Sequence, residues 1–288
     1  MLRARGGAAR RGLRAACALM AGLAVSAPAM ACEAVTAGWG LKGRFSEAEF
    51  LNTRPAGARH ENWIARGARL ILHAGYDRET DDYGHGILGP LRDARILTIH
   101  VRRPGDDRIT CPAGVVLPAG QVFEDIAPRL ADLDGDGMPE IIVVQSDATR
   151  GARLAVYDRR ANLMAATPFI GTPYRWLAPL GAADLDGDGA MELAYVDRPH
   201  LARILRVWRY TPGKLTEVAT RDGLTNHRIG EAHISGGIRD CGGSPEMILA
   251  TGDWRALVAA QFDGHTIGIR EIGTQTDRDG FARAMSCD

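Results

Sequence analysis

The segment Asp132-Leu-Asp-Gly-Asp-Gly-Met-Pro-Glu140 recurs 52 residues later as Asp184-Leu-Asp-Gly-Asp-Gly-Ala-Met-Glu192, and each copy leads directly into an apolar run. The two copies share three alternating aspartates, two glycines and a closing glutamate. Similarity at a fixed spacing of roughly 50 residues is typical of repeat architectures, in which one small unit of structure recurs along the chain. The pair therefore predicts a repeat fold.

The period extends beyond the two acidic segments. Alignment on the closing glutamates gives a third start at Pro-Glu246-Met-Ile-Leu-Ala, 54 residues after Glu192. An aromatic residue follows each glutamate 16 to 18 positions later, at Tyr157, Tyr210 and Phe262, and turn residues follow each aromatic residue. Short apolar runs separated by turns predict a small antiparallel meander in each unit.

The apolar runs have the length and composition of β-strands. Each is four to seven residues long and rich in Val, Ile, Leu and aromatic residues, whereas helices of globular proteins are longer. The predicted strands include Ile141–Val144, Leu154–Tyr157, Ile204–Trp208 and Leu257–Phe262. An earlier, diverged unit is indicated by Ile96–Val101 and a turn at 103–105, and a short helix or loop is expected at 46–52.

These units predict an all-β fold, namely a β-propeller of about five four-stranded blades with Ca²⁺-binding loops between strands. Repeats of roughly 40 to 50 residues with about four strands each are typical of propellers, whose blades pack radially. We expect one propeller domain over residues 32–288, with repeat units at approximately 70–121, 122–172, 173–225 and 226–275. A four-bladed propeller is the alternative.

The chemistry of the acidic segments indicates Ca²⁺. Aspartates at positions 1, 3 and 5 of a loop place their carboxylates on one side of the chain, and glycine at position 6 permits the turn that makes them converge. Hard oxygen ligands of this kind suit Ca²⁺ better than Mg²⁺, which demands stricter octahedral geometry. The converging carboxylates would also repel one another without a cation. We therefore expect two structural Ca²⁺ sites.

Each expected site has five ligands in the same order: three aspartate side chains, one backbone carbonyl and the closing glutamate. The first set is Asp132, Asp134, Asp136, the carbonyl of Met138 and Glu140, and the second set is Asp184, Asp186, Asp188, the carbonyl of Ala190 and Glu192. An EF-hand is disfavoured, because Val143 and Tyr195 replace its bidentate glutamate at position 12. A metal-free turn rich in Asp and Gly is the remaining alternative.

Residues 130–144 and 183–196 resemble the FG-GAP or VCBS-type repeat of integrin α-subunit propellers and of many exported bacterial proteins. The resemblance implies that each acidic loop joins the first two strands of a blade and that its Ca²⁺ is structural. The chain departs from the family pattern in two ways. Position 9 is Glu140 or Glu192 where the pattern usually has Asp, and the last unit, 240–246, lacks the middle carboxylates and is expected to bind no Ca²⁺.

The N-terminal residues and the cysteines predict a periplasmic or secreted protein. Residues 1–31 carry five arginines and no acid, and end in an uncharged stretch that closes with Ala29-Met-Ala31, which is typical of a cleaved signal peptide. A retained membrane anchor, a twin-arginine signal and lipidation of Cys32 are the alternatives. Four cysteines would remain, and they predict two disulfides of open connectivity: Cys32, Cys111, Cys241 and Cys287.

The charge of the chain argues against a nucleic-acid partner. The 35 basic and 35 acidic residues balance, so loss of the five N-terminal arginines leaves 30 against 35, a net charge of −5. The remaining arginines are scattered along the sequence instead of forming the basic patch that nucleic-acid binding requires.

The sequence contains no HExxH, GxSxG, P-loop or dinucleotide motif, and we assign no catalytic residue. Candidates for acid–base chemistry are the segment Asn226–His233, His85 and His200, and a candidate recognition segment is Tyr174-Arg175-Trp176. The leading hypothesis is a non-enzymatic module that binds an unidentified protein or glycan partner. The alternative is an extracytoplasmic hydrolase or lyase on the same scaffold, which requires these histidines to lie within hydrogen-bond reach of one another in a polar pocket.

Overall fold

The computed structural model describes residues 60–64, 71–102 and 113–287, with side chains for 72–101 and 113–287. Several predicted features lie outside these residues: the signal peptide at 1–31, the short helix or loop at 46–52, the turn at 103–105, Cys32 and Cys111. Within the described segments, the structure contains no helix that has both the length and the hydropathy of a membrane span.

The described residues form eighteen strands and one helix, and all strand pairings are antiparallel. The first sheet contains β1 (His60–Ile64), β2 (Ile71–Thr80), β3 (Asp93–Arg102), β4 (Ala113–Val116), β5 (Gln121–Phe123), β6 (Arg129–Ala131), β7 (Glu140–Asp147), β8 (Gly151–Tyr157) and β9 (Leu163–Ala166). The second sheet contains β10 (Leu177–Ala183), β11 (Glu192–Asp197), β12 (Ile204–Thr211) and β13 (Lys214–Asp222). The third contains β14 (Leu224–Thr225), β15 (Gly237–Arg239), β16 (Glu246–Thr251), β17 (Leu257–Phe262) and β18 (Ile267–Gly273), and the helix α1 (Arg278–Met285) follows it.

The first sheet consists of two meanders, β1 to β4 and β5 to β9, which join where Ala94 of β3 lies opposite Phe123 of β5. Together with the second and third sheets, they make four successive antiparallel meanders in the described residues. The predicted all-β, antiparallel class is therefore confirmed. Every strand predicted from an apolar run lies within an observed strand, namely β3, β7, β8, β12 or β17.

The central strands are buried on both faces, because their alternate side chains enter two different cores. In β7, Ile141 and Val143 pack with β2 and β3, whereas Ile142 and Val144 pack with β10 and β11. The same alternation in β11 and β16 connects the second sheet to the third and the third to α1. Because side chains of a strand alternate between its faces, this pattern stacks the meanders face to face in chain order.

The helix α1 covers the last sheet of the series. Phe281 and Ala284 pack on Ile248 and Ala250 of β16, on the face where a further sheet would otherwise lie. Asp277 caps the helix by accepting a hydrogen bond from the backbone N–H of Gly280, at 2.8 Å. The helix α1 was not predicted from the sequence, because its eight residues are too few to show a clear helical period and include a glycine.

A disulfide joins Cys241, in the β15–β16 connection, to Cys287, directly after α1. Its presence confirms one of the two predicted bridges. The bond closes a loop with a sequence separation of 46 residues, so it stabilises the contact between α1 and the last sheet mainly by restricting the unfolded chain.

The acidic loops lie at the opposite end of the strands from a group of polar loops. Strand β7 begins at Glu140, directly after the first acidic loop, and reaches Ser146 near its other end. Strand β11 begins at Glu192 and ends at Asp197, three residues before His200. Since strands of this length span about 20 Å, the two ends form separate sites.

Candidate functional site

The first acidic loop joins β6 to β7 and is folded by hydrogen bonds from its own backbone. The two carboxylate oxygens of Asp132 accept from the N–H groups of Gly135 and Gly137, at 2.9 and 3.0 Å. Both glycines have positive φ angles, 75° and 84°, which suit residues without a Cβ. Asp132, Asp134 and Asp136 each place a carboxylate oxygen within 4.8 Å of the others. This convergence of oxygens suits a hard cation.

Glu140 closes the first loop from its buried side. Its Oε2 accepts from the backbone N–H of Leu133 at 2.7 Å, and its side chain is almost completely buried. Burial, together with the charges of Asp134 and Asp136, raises the pKa of the Glu140 carboxyl to about 7. Among the described residues, no group donates a hydrogen bond to Glu140 Oε1 or Asp134 Oδ2. These two oxygens remain available to a cation.

The second acidic loop joins β10 to β11 and repeats the backbone pattern of the first. Asp184 accepts from the N–H groups of Gly187 and Gly189, at 2.8 and 3.0 Å. Glu192 Oε2 accepts from the N–H of Leu185 at 2.9 Å. The two loops therefore have the same internal fold, as their sequence identity predicts.

The second loop differs because Arg209 of β12 enters it. The Nη2 of Arg209 donates to Asp186 Oδ2 at 2.6 Å, and its Nε donates to Glu192 Oε1 at 2.6 Å. Its Nη1 forms an ion pair with Asp188 Oδ2 at 2.9 Å. The hydrogen bonds to Glu192 and Asp186 raise the pKa of the guanidinium, so Arg209 is a permanent positive charge in this loop.

The residues of the two loops therefore fit the Ca²⁺ of an FG-GAP repeat differently. The first loop presents converging carboxylates, and the nearest arginine atom among the described residues, Arg159 Nη1, lies 3.8 Å from Asp136 Oδ2. The second loop brings together Asp184, Asp186 and Glu192, but a guanidinium already occupies the oxygens of the last two. The first loop fits the ion, whereas the second does not fit it without displacement of Arg209.

The third copy of the closing glutamate is also bound by arginine. Glu246 accepts from Arg239 at 2.5 Å and from Arg270 at 2.9 Å. Asp240, at the first position of that loop, accepts from the N–H of Gly242 as in an ordinary Asx turn. That this unit binds no Ca²⁺ stays a prediction.

At the other end of the strands, loops from every sheet meet around a pocket of about 210 Å³. Its wall includes His85 from the β2–β3 connection, Tyr174, Arg175 and Trp176 before β10, His200 and Leu201 after β11, and Ile229 after β14. The rim is apolar, because it is formed by the large hydrophobic side chains of Tyr174, Leu201 and Ile229. These residues are 48%, 65% and 73% exposed. A group of exposed apolar side chains around a concavity is typical of a binding site, whereas isolated exposed apolar side chains are common on protein surfaces.

His85 is held in the pocket wall by a buried carboxylate. Its Nδ1 lies 2.6 Å from Oε1 of Glu124, which is 1% exposed. Ser146 donates a hydrogen bond to the other carboxylate oxygen, and Trp176 Nε1 donates to the backbone carbonyl of Glu124 at 2.8 Å. Burial raises the pKa of Glu124, and the hydrogen bond with His85 opposes that rise. A carboxylate that fixes the ring of a histidine is a common support for a general base.

His200, partly buried in the pocket wall, and His227, fully buried behind it, form a second pair. The Nε2 of His200 lies 3.0 Å from Nδ1 of His227, and Nε2 of His227 lies 2.9 Å from the carbonyl oxygen of Glu231. Since a carbonyl only accepts, His227 donates through Nε2 and accepts from His200 through Nδ1. Burial lowers the pKa of both rings, and that of His200 to about 4. Both rings are therefore neutral at pH 7.

The structure divides the remaining candidates of the segment Asn226–His233. Asn226 is fully buried and donates to the carbonyl of Ala178 at 3.3 Å, which is a structural contact between sheets. His233 lies near the surface, 3.4 Å from the carboxylate of Glu231. Only His227 in this segment contacts the histidines of the pocket.

Glu124 and Ser146 were not predicted as site residues from the sequence. Glu124 follows a three-residue strand, and Ser146 lies inside a longer apolar one, so neither belongs to a motif. Their roles arise from the pairing of β5 with β7, in which Val122 lies opposite Ser146. A long-range register of this kind leaves no local signal in the sequence.

Residues 132–195, which contain both acidic loops, match the family model of the FG-GAP-like repeat. This match confirms the predicted resemblance over that part of the chain. No curated protein matches the chain.

Similar solved structures include the Bacillus licheniformis rhamnogalacturonan lyase PL11, with 15% identity, a TM-score of 0.37 and coverage of 78% of this chain and 55% of the lyase. They also include the exotype rhamnogalacturonan lyase YesX, with 15% identity, a TM-score of 0.34 and coverage of 74% and 50%. RS223-beta-xylosidase has 12% identity, a TM-score of 0.35 and coverage of 75% and 77%. The chain spans about half the length of the two lyases. TM-scores this low establish neither fold nor activity.

Proposed function

We propose that this chain is an exported, calcium-stabilised β-propeller that binds a glycan, with one sugar residue seated in the pocket where the sheets meet. The observation that carries the proposal is the combination of an apolar rim with recessed polar groups. Small-molecule sites are concave, mostly apolar, and contain a few polar groups that fix orientation. Tyr174 offers a ring face to the apolar face of a sugar, and His85 and His200 offer hydrogen bonds to its hydroxyl groups.

The size and charge of the pocket favour a saccharide over a protein surface. A volume of about 210 Å³ is below the range of roughly 300 to 1,000 Å³ for drug-sized ligands and suits a single ring. A stable protein interface instead buries about 800 Å² on each partner. Arg175 forms no ion pair among the described residues, and its Nη1 donates only to the carbonyl of Tyr174. Its free charge favours a sugar that carries a carboxylate.

The proposed calcium ion belongs to the first acidic loop. Asp132, Asp134 and Asp136 would hold it, with the backbone carbonyl of Met138 and the free oxygen of Glu140 as the further ligands. A bound Ca²⁺ would offset the repulsion among these carboxylates and fix the connection between β6 and β7. Because this loop is about 20 Å from the pocket, its role is structural.

Binding of sugars to the purified chain tests the proposal. We expect saturation-transfer NMR to detect galacturonate more strongly than galactose, and Tyr174→Ala and Arg175→Gln each to weaken binding at least about tenfold, a loss of roughly 1.4 kcal/mol. Leu163→Ala and Arg255→Gln are matched controls, because both side chains are exposed and line no part of the pocket. Failure of a broad panel of neutral and acidic saccharides to bind, or full binding by Tyr174→Ala, would reject the site.

The His85–Glu124 pair favours a second candidate function, a hydrolase or lyase that acts on the same glycan. The alternative hypothesis required histidines within hydrogen-bond reach, and His200 and His227 meet that condition, although the pocket is more apolar than expected. In this role, His85 would accept a proton from substrate or water while Glu124 holds its ring. We expect His85→Gln to abolish turnover of a glycan that binds and to change its affinity only a few-fold. A glycan that binds tightly and is never cleaved would reject the catalytic function and leave binding as the function of the pocket.

A further inference from the structure

The three closing glutamates lie opposite different residues in their sheets. Glu192 of β11 is in register with Arg209 of β12, and Glu246 of β16 is in register with Arg239 of β15. In the first copy, Ile141 pairs with Tyr157 at the end of β8, so the next position opposite Glu140 is Asp158. Two of the three glutamates therefore have an arginine beside them, and the first does not.

Each carboxylate oxygen of the second loop has a hydrogen-bond or ion-pair partner within the chain. Asp184 accepts two backbone N–H groups, and Asp186, Asp188 and Glu192 each accept one, at the oxygen that faces away from Arg209. Arg209 takes the remaining oxygen of each of these three side chains. All eight carboxylate oxygens of the loop thus have a partner. A backbone N–H on an oxygen is shared by Asp132 of the first loop and does not distinguish the loops, but the guanidinium covers three oxygens of the second loop, so a metal ion would have to displace it.

The second loop is also covered from the next sheet. A Cβ placed on Gly264, in the β17–β18 turn, would lie 3.1 Å from Asp186 Oδ2. The side chains of Asp186 and Glu192 are only 8% and 0% exposed, and that of Arg209 is 25% exposed. Asp188, the third partner, is 45% exposed, so the guanidinium is enclosed on the side of Asp186 and Glu192 and open on the side of Asp188.

We propose that Arg209 replaces the metal ion in the second loop, so that the folded chain binds one Ca²⁺, at the first loop. The arginine supplies the positive charge that the carboxylates require, and its three donor groups match the three oxygens that would otherwise ligate an ion. The stoichiometry of one rests on the proposed Ca²⁺ site of the first loop. The inference about the second loop does not depend on that site.

Calorimetric titration of the metal-free protein with CaCl₂ tests the proposal. We expect one Ca²⁺ per wild-type chain and two per Arg209→Gln chain, because removal of the guanidinium frees three carboxylate oxygens. Arg206→Gln is the matched control, since Arg206 lies in the same strand, pairs with Asp197 and Glu217, and contacts neither acidic loop. Its stoichiometry should stay at one.

Two ions in the wild type, or no additional ion in Arg209→Gln, would overturn the proposal. If Arg209→Gln does not fold without metal, Asp186→Asn in the otherwise unchanged chain decides the matter: unchanged Ca²⁺ affinity supports the proposal, and loss of a site overturns it. No binding by the wild type with one ion in Arg209→Gln would reject the first-loop site and support the role of Arg209. No binding by either protein would reject both.

Discussion

The two acidic loops have nearly the same sequence and the same backbone hydrogen bonds, yet they differ in the charge that neutralises them. In the first loop, Asp134 and Glu140 each keep a carboxylate oxygen without a donor among the described residues. In the second, Arg209 bonds to the equivalent oxygens of Asp186 and Glu192. The loop motif therefore determines where the carboxylate oxygens lie. A residue of the neighbouring strand determines whether a metal ion is required to neutralise their charge.

The difference arises from strand register and not from the motif. The position opposite the closing glutamate is Asp158 in the first copy and Arg209 in the second. Asp158 caps its own turn by accepting from the N–H groups of Arg160 and Asn162, both at 2.8 Å, and brings no positive charge to the loop. One residue 17 or 18 positions beyond the motif thus changes the electrostatics of a loop whose sequence is otherwise repeated.

Removal of Arg209 should have the largest effect. We expect Arg209→Gln to lower the free energy of unfolding in EDTA by about 3 kcal/mol, because it leaves the buried Glu192 and two aspartates without their counter-charge. Arg159→Gln beside the first loop should change it by less than about 0.5 kcal/mol, since that arginine is exposed and 3.8 Å from its nearest carboxylate. Urea denaturation measures both, and equal effects of the two variants would contradict the asymmetry.

Calcium should stabilise the chain through the first loop. We expect about 2.7 kcal/mol of added stability at a Ca²⁺ concentration one hundred times the dissociation constant, because only the folded chain forms the site. Asp134→Asn should abolish this increment, whereas Asp186→Asn should retain it. If the loops were equivalent, each variant would lose about half of the shift in melting temperature on addition of EDTA.

Neutralising the closing glutamates should give effects of opposite sign in EDTA at pH 8. Glu140→Gln should raise stability by about 1 kcal/mol, because it removes a buried charge that faces only carboxylates and retains the acceptor for Leu133. Burial also raises the pKa of the Glu192 carboxyl, and the hydrogen bonds from Leu185 and Arg209 oppose that rise. Glu192→Gln should nevertheless lower stability by about 1.5 kcal/mol, because it leaves the Arg209 guanidinium without its charge-assisted hydrogen bond. Thermal unfolding of both variants measures these changes, and a shared sign would show that the glutamates have similar surroundings.

Local sequence was sufficient for the strands and for the fold of the acidic loops. Alternating aspartates with glycine at position 6 specify the turn directly, and the apolar runs have strand length, so β7 and β17 were predicted where they occur. Arg209 was not recognised as part of the second loop, although it lies next to the predicted marker Tyr210. Its role depends on which residue pairs with Glu192, and a shift of one position would turn its side chain to the other face.

The pocket was predictable only in fragments. His85, His200 and the segment Tyr174-Arg175-Trp176 were identified from their chemistry, but their assembly depends on three connections that are far apart in sequence. Glu124 shows the limit most clearly. It is a single acidic residue after a short strand, and it becomes important only because β5 pairs with β7 and the β2–β3 connection brings His85 within 2.6 Å.

The stability of the folded chain should depend on Ca²⁺ through the acidic loops and on pH through the pocket at the other end of the strands. The folded-state pKa of His200 is lowered to about 4, below its unfolded value of 6.5, so the unfolded chain binds more protons between these values. Stability contributed by neutral His200 is therefore present above pH 6.5 and lost as the pH falls. His200 should contribute a loss of about 1 kcal/mol between pH 7.5 and 5.5 at constant Ca²⁺, whereas Glu140, whose raised pKa of about 7 makes the folded chain bind more protons, contributes a gain over the same range.

This loss should be smaller in His200→Gln, because the variant has no ring to protonate, and unchanged in His233→Gln, since His233 lies near the surface and its side chain is 40% exposed. Urea denaturation at each pH gives the slope, which separates the protonation effect from any constant cost of the substitution. An unchanged slope in His200→Gln would assign the acid sensitivity to another group, with His227 the first candidate because burial lowers its pKa as well. The prediction that His200 is the proton-sensitive group of the pocket end would then be wrong, because protonation of the buried loop glutamates favours the folded chain and cannot produce an acid-induced loss.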